Sequence, residues 1–219
     1  VDAVMNLISG AGLKRIYVLR GNHDGLDPLC PYFRFLGHLP NLQYVATIWH
    51  EPIGGTEVLM LPHTLKPKED WQCADFLDAD VVLLHATVKG AVAENGMVLD
   101  GVHQGYFTGS RADFYSGDVH VPQRAGKVNY VGAPYPIHFG DKFVGGVTLL
   151  QNGRFHSAPR FETLRRRSLT IKIPKDLEAA DLREQDQCKI SLCLPRSEYG
   201  DWSRHKKQIM DWCAEKGVS

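Results

Sequence analysis

Three apolar segments of this chain each end directly on side chains that can bind a metal ion or transfer a proton. The segments are RIYVLR at 15–20, ADVVLL at 79–84 and ADFYS at 112–116. Apolar runs of this kind are typical of strands buried in a parallel sheet. In open α/β sheets, ligands collect at the carboxyl ends of the strands, where residues distant in sequence converge. The pattern therefore predicts an α/β fold with one functional edge, formed by Asn22, His23, Asp24, His85, Asp118 and His120.

These six side chains supply amide, carboxylate and imidazole donors. That donor set suits manganese, iron or zinc, and the absence of thiolates argues against a structural zinc site. Two such ions about 3.5 to 4 Å apart activate a water molecule and stabilise the charge that builds on a phosphate during in-line displacement. A histidine that is not a ligand can protonate the leaving oxygen.

Each segment alone also has an ordinary structural explanation. The GNHD stretch at 21–24 can be an Asx-type turn that closes a strand. His85 can be a hydrogen-bonded core histidine, and Asp118 with His120 can form an ion pair in a loop. The three together, each placed after an apolar strand, favour a functional site.

The rest of the pattern predicts further strands and two helices. Strands are expected around 42–47, within 53–64 and in the β-rich stretch 127–161, while 65–72 is expected to be a charged loop. Amphipathic helices are predicted over Val1–Ile8 and over Asp201–Lys216.

The character of the sequence changes near Glu162, where a basic cluster is followed by a β-like segment, a polar segment, a strand and the last helix. We therefore predict two domains, a core over 1–162 and a small α/β domain over 163–219.

The chain has 25 basic and 25 acidic residues among 219, so its overall field gives no reason to expect a nucleic-acid or membrane partner. Five cysteines without a CxxC motif argue against a disulfide framework and favour a reducing cytoplasm. No apolar run approaches the roughly 18 residues that a membrane span needs, and no signal peptide opens the chain. Because Val1 already continues a helical pattern without an initiator Met, we expect the natural protein to begin further upstream.

The order of these motifs resembles that of the calcineurin-like metallophosphoesterases, whose pattern ends with GNH(D/E), a histidine after a strand, and GHxH. Here the corresponding stretches are GNHD at 21–24, LLHA around His85, and SGDVH at 116–120. A further stretch, YVGAPYPIHFGD at 130–141, is similar to a segment of the SbcD-type nucleases, which have relatives in phages. The resemblance implies a β-sandwich flanked by helices, followed by a small C-terminal α/β capping domain.

The resemblance also implies a role for each matching residue. Asn22, His85 and Asp118 would hold the second metal ion, and His120 would bind the first. His23 would act on the leaving group or on the transition-state charge, and Asp24 would orient His23. The implied cofactor is a divalent metal, Mn²⁺ above all, and the implied partners are DNA, a coiled-coil ATPase of the SbcC type and a second copy of the chain in a homodimer.

Two departures from the family pattern bear on these roles. The DxH and GDxxD motifs, which supply the rest of the first-metal site, are not found, and we expect them upstream of Val1. Asp118 stands where the family usually has histidine. Its negative charge favours harder ions such as manganese.

Other basic residues and histidines have both a functional and a structural explanation. The basic residues Arg165, Arg166 and Arg167 can contact phosphates of a substrate, or can form a solvated basic cluster. The remaining histidines near strands are expected to be structural or exposed, with His63 and His138 the best placed to line the site.

The leading hypothesis is therefore a metal-dependent phosphodiesterase of the SbcD-like nuclease branch that hydrolyses DNA. One alternative is a phosphoesterase of the same fold that acts on small molecules or phosphoproteins. Another is a non-catalytic binding module that retains the fold without a complete first-metal site.

Overall fold

The computed structural model describes residues 10, 12–26, 30–72, 76, 78–141, 143, 145–151, 154–157 and 165–219. The helix predicted over Val1–Ile8 and the boundary predicted at Glu162 lie outside these residues.

Most of the predicted strand segments contain a described strand, but the strands Trp49–Ile53 and Gln123–Ala125 were not predicted. The strands are β1 Ile16–Leu19, β2 Leu42–Val45, β3 Trp49–Ile53, β4 Thr56–Leu61, β5 Val81–Leu84, β6 Asp113–Ser116, β7 Gln123–Ala125, β8 Val128–Tyr130, β9 Thr148–Gln151, β10 Arg154–Ser157, β11 Arg166–Ile171 and β12 Gln187–Leu192. The α-helices are α1 Pro67–Asp70 and α2 Trp202–Lys216, and the 3₁₀ helices are Arg34–His38, Gln104–Phe107, Pro174–Ala179 and Arg196–Asp201.

Six strands form the largest sheet, in the order β3-β4-β5-β6-β8-β7. Strands β4, β5, β6 and β8 are parallel, while β3 and β7 pair with their neighbours in the antiparallel sense. The predicted α/β class is confirmed at this level, as a mixed sheet with few helices among the described residues. The charged segment at 65–72 is not entirely loop, because Pro67 begins the one-turn helix α1, where its missing N–H costs no hydrogen bond.

The central strands are covered on both faces, which explains the apolar runs at 58–61 and 81–84. Side chains alternate along a strand, so Leu59, Val82 and Phe114 enter one cluster, which also contains Phe76 and Phe107. The alternate residues Val58, Met60 and Val81 enter a second cluster on the other face, together with Val45, Leu19 and Tyr17 of the β1-β2 pair. That two-stranded parallel sheet thus packs against the six-stranded sheet.

The contacts divide the chain into two compact units. The first comprises Val1–Gly132 with Leu150–His156, and the second comprises Ala133–Leu149 with Ser157–Ser219. The second unit contains the parallel pair β11-β12 and helix α2. The predicted division at 162 stays a prediction, although this grouping assigns 133–149 to the C-terminal unit.

Helix α2 confirms the amphipathic helix predicted at the end of the chain. It ends at Gly217, whose φ of 64° is the left-handed conformation that glycine adopts without steric cost. Within the described ranges, no helix is both long and apolar enough to span a membrane.

Candidate metal centre

The candidate site lies in the first unit, where the loops after β1, β5 and β6 meet. Strands β5 and β6 are parallel neighbours, so their carboxyl ends share one edge of the sheet. The strand ladder continues into the loops, because the His85 amide donates to Leu61 and the Gly117 amide donates to Leu84. The loop after β1 is joined to the loop after β4 by a hydrogen bond, in which the His63 amide donates to the Arg20 carbonyl at 2.9 Å.

Two predicted ligands, Asn22 and Asp118, converge on the imidazole nitrogen of a third, His85. The Nε2 atom of His85 lies 3.1 Å from Oδ1 of Asn22 and 3.3 Å from Oδ1 of Asp118. The side chains of His85 and Asp118 are 19% and 8% exposed, so both lie at the inner end of the cleft. The structure therefore brings together Asn22, His85 and Asp118, which are distant in sequence.

Asp118 is held in its ionised form. Burial alone would raise the pKa of this carboxyl, but hydrogen bonds with His85 and Thr87 outweigh burial and place the pKa below its ordinary value. Thr87 donates to Oδ2, while His85 contacts Oδ1, so each carboxylate oxygen has a partner.

The GNHD turn positions its side chains by a local hydrogen bond. Oδ2 of Asp24 accepts from the Gly21 amide at 2.7 Å, and the Asp24 carbonyl accepts from the Tyr32 amide at 2.7 Å. The carboxylate of Asp24 therefore closes the turn that presents Asn22. Its predicted part in orienting His23 stays a prediction. His23 is exposed and lines the same cleft.

The cleft has a volume of about 470 Å³ and is lined by every metal-binding and catalytic residue predicted from the sequence. The other wall carries a residue that the sequence did not indicate, Glu94. Its carboxylate lies 2.6 Å from Nδ1 of His120. Glu94 sits in a polar loop without a recognisable motif, so no sequence signal identified it.

His63 packs against His85 but is not among the residues that line the cleft. Its ring meets the His85 ring edge to face, with centroids 6.1 Å apart. Burial and the neighbouring His85 lower the pKa of His63 below its ordinary value. His138 belongs to the second unit, where its amide donates to Asp141 at 2.7 Å.

The predicted substrate-binding arginines lie in the second unit, and two of them have intramolecular partners. Arg165 makes two hydrogen bonds with the carboxylate of Asp186, at 2.8 and 2.6 Å. Arg166 donates to Gln187 and to the Ile137 carbonyl. The predicted phosphate contacts of Arg165, Arg166 and Arg167 stay a prediction.

The donor set at the convergence point fits a divalent cation. An amide oxygen, an imidazole nitrogen and an ionised carboxylate are ligands that manganese, iron and zinc accept. Among the described residues, no three His, Cys, Asp or Glu side chains cluster as a metal site. The candidate site contains Asn22 beside His85 and Asp118. Its fit to a cation therefore depends on one amide, one imidazole and one carboxylate ligand.

Two comparisons with known proteins identify no relative of this chain. A scan against protein-family models finds no match, and a search of curated proteins finds none. Function is therefore inferred from the residues and the geometry of the site.

Proposed function

We propose that this protein is a metal-dependent phosphoesterase that hydrolyses phosphodiester bonds. The observation that carries the proposal is the convergence of Asn22, His85 and Asp118, with an amide oxygen and a carboxylate oxygen 3.1 and 3.3 Å from one imidazole nitrogen. An ordinary turn or core histidine does not require three such donors, from three separate strand ends, to meet in a cleft.

The chemistry divides among the residues of the cleft. Asn22, His85 and Asp118 hold a divalent cation, Mn²⁺ above all. Such a cation supplies Lewis acidity and lowers the pKa of a water molecule. His23, exposed in the same cleft, donates a proton to the leaving oxygen. Thr87 keeps Asp118 ionised and oriented through its hydrogen bond.

The finer assignment is an SbcD-type nuclease with DNA as its substrate. It is supported by the order of the GNHD, His85 and Asp118–His120 motifs and by the segment at 130–141. The same assignment proposes a metallophosphoesterase sandwich flanked by helices, a capping function for the second unit, a coiled-coil ATPase partner of the SbcC type, a homodimer and a cytoplasmic location.

The test combines metal binding with hydrolysis. Calorimetric titration of the 219-residue chain with Mn²⁺ is compared between the wild type, His85→Ala and the control His50→Ala. His50 lies on the edge strand β3 and pairs with Glu57 at 3.2 Å, away from the cleft. We expect His85→Ala to lose a Mn²⁺ site that His50→Ala retains, because His85 contacts both other ligands.

Hydrolysis is measured with single-stranded DNA, duplex DNA and a chromogenic phosphodiester. We expect Mn²⁺-stimulated cleavage of DNA that His85→Ala reduces by at least about 100-fold, since loss of a metal ligand removes the electrostatic stabilisation of the reaction. Cleavage of the small diester much faster than DNA would favour the small-molecule alternative. Equal Mn²⁺ binding in both variants, or no hydrolysis of any phosphodiester, would overturn the proposed function.

A further inference from the structure

Glu94 lies at the tip of a tight hairpin in the first unit. Val92 and Val98 form an antiparallel bridge, and the Ala93 amide donates to Met97 at 2.9 Å. Gly96 closes the turn with a φ of 84°, a conformation that favours glycine. The hairpin fixes the backbone on either side of Glu94.

The hairpin is anchored to the strand that follows the His120 loop. The side-chain amide of Gln123 accepts from the Val92 amide at 2.8 Å and donates to the Val92 carbonyl at 2.7 Å. Ala91, at the base of the hairpin, is fully buried in the main core cluster. Glu94 and His120 are therefore held on two segments that are hydrogen-bonded to each other.

The two side chains meet inside the cleft. Oε1 of Glu94 lies 2.6 Å from Nδ1 of His120, and the two side chains are 28% and 38% exposed. Nδ1 is buried and makes no hydrogen bond in this arrangement, so the carboxylate covers this nitrogen without the angle that a hydrogen bond requires. Within the described residues, Nδ1 of His120 is a buried atom without a hydrogen-bond partner, and Nε2 of the same ring is not such an atom.

A carboxylate beside one ring nitrogen determines what the other nitrogen can do. When the carboxylate accepts a hydrogen bond from Nδ1–H, the proton stays on Nδ1 and the lone pair stays on Nε2, where a cation can bind. Carboxylate partners of this kind fix both the tautomer and the orientation of metal-binding histidines.

We propose that Glu94 is a positioning residue for His120, which holds the imidazole proton on Nδ1 and directs Nε2 to a divalent cation. The metal-binding part of this inference rests on the proposed function. In the proposed state, the Glu94 and His120 side chains turn so that their 2.6 Å contact becomes a hydrogen bond, while their two chain segments stay joined through Gln123.

An ordinary surface ion pair does not require a carboxylate beside a buried ring nitrogen. The exposed pair of Lys66 and Glu69, with side chains 66% and 67% exposed, is an ordinary ion pair of this protein. Glu94 differs because it lies in the cleft with all the predicted ligands and covers a buried ring nitrogen.

The first test needs no metal. Two-bond ¹H–¹⁵N correlation spectra of the metal-free protein at alkaline pH report which nitrogen of a neutral imidazole carries the proton, and His120→Gln assigns the signal. We expect Nδ1 to be protonated in the wild type and in Glu69→Ala. Glu94→Ala should move the proton partly or wholly to Nε2, while Glu94→Gln, which retains an acceptor oxygen, should have an intermediate effect. Protonation of Nε2 in the wild type, or the same tautomer in Glu94→Ala, would overturn the inference.

The second test measures Mn²⁺ affinity by calorimetry on the same variants. We expect Glu94→Ala to weaken by about 10- to 100-fold the part of Mn²⁺ binding that His120→Gln removes, with Glu69→Ala unchanged. Unaltered affinity in both Glu94 variants of a protein that binds Mn²⁺ and cleaves phosphodiesters would refute the positioning role alone. Absence of Mn²⁺ binding in the wild type would refute the proposed function, while the tautomer spectra would still decide whether Glu94 controls the His120 proton.

Discussion

Gly21 shows how one missing side chain shapes the candidate site. A Cβ atom at this position would lie 3.0 Å from Cε1 and 3.2 Å from Nε2 of His85, and 3.2 Å from Oδ2 of Asp24. The glycine of the GNHD turn therefore lets the backbone approach the imidazole that contacts Asn22 and Asp118. The glycine at this position is therefore explained by the space that His85 and Asp24 need, in addition to the needs of the turn.

This geometry predicts the effect of Gly21→Ala. The methyl group must displace the His85 ring or the Asp24 carboxylate by a few tenths of an ångström, because the contacts are tighter than ordinary van der Waals distance. We expect Mn²⁺ affinity to fall about tenfold, as for other changes that misplace a metal ligand, with little change in the melting temperature. Gly37→Ala is the matched control, since no atom lies within 4 Å of its added Cβ. Equal affinity in both variants would show that His85 tolerates the methyl group.

The sequence identified some site residues but not others, for physical reasons. Asn22, His85 and Asp118 follow apolar strands, and β5 and β6 end at the same edge of the six-stranded sheet. Strand β1, which precedes Asn22, belongs instead to the two-stranded sheet that packs against it. Glu94 comes from a polar hairpin whose position depends on hydrogen bonds from Gln123, and no local pattern encodes that contact. Side chains that reach a site from a strand end are therefore predictable, while those that arrive on a loop are not.

At the scale of elements, the strands buried on both faces were the most predictable. Strand β5 is apolar throughout and β4 ends in four apolar residues at 58–61, because clusters cover both faces of their sheet. Strand β6 contributes Phe114 to one cluster and Tyr115 to the other. Strand β3 was not identified from the sequence. It contains Pro52, whose ring removes a backbone donor, and it pairs only with β4 in the sheet as described. An edge strand tolerates such a residue, so its sequence lacks the signal of a central strand.

The β11-β12 pair of the second unit depends on an ion pair between Arg165 and Asp186. Each residue directly precedes one of the two strands, and the Gln187 amide donates to the Arg165 carbonyl at 2.9 Å. Asp186 is 3% exposed and also accepts from the Arg183 amide at 2.9 Å. Hydrogen bonds from Arg165 hold the pKa of Asp186 below its ordinary value, although burial opposes this effect.

The sign of the pH dependence follows from this lowered pKa. A carboxyl whose pKa is lower in the folded state stabilises the fold above its unfolded pKa, and loses this contribution as pH falls through its folded pKa. We expect Asp186→Asn to cost on the order of 2 kcal/mol of unfolding free energy at neutral pH, and the difference from the wild type to shrink below about pH 4. Amide exchange at Arg183 and Gln187 measures the effect in this unit.

Asp181→Asn provides the matched control for that series. Asp181 also lies beside Arg165, at 3.6 Å, but its side chain is 74% exposed, so we expect almost no change in exchange. A constant difference between Asp186→Asn and the wild type from neutral to acidic pH would contradict the linkage.

At the scale of the whole molecule, charge limits how DNA can be recognised. The chain carries 25 basic and 25 acidic residues, so its net field does not concentrate a polyanion. Arg165 and Arg166 already have intramolecular partners, which reduces what the basic cluster can contribute to phosphate binding. The proposed nuclease function therefore predicts that duplex DNA binds through a small number of local contacts.

The salt dependence of DNA binding measures that number. Each phosphate neutralised by a cationic side chain contributes about −0.9 to the slope of the logarithm of the binding constant against the logarithm of salt concentration. For binding of duplex DNA in the presence of Mn²⁺, we expect a shallow slope, equivalent to about two to four contacts on this scale. Hydrolysis of the chromogenic phosphodiester should be almost independent of salt, since it needs only the cleft. A slope near −9, which corresponds to about ten phosphates, would reveal a basic surface that the balanced composition does not suggest. A slope of zero together with rapid diester hydrolysis would identify the protein as a phosphoesterase for small substrates.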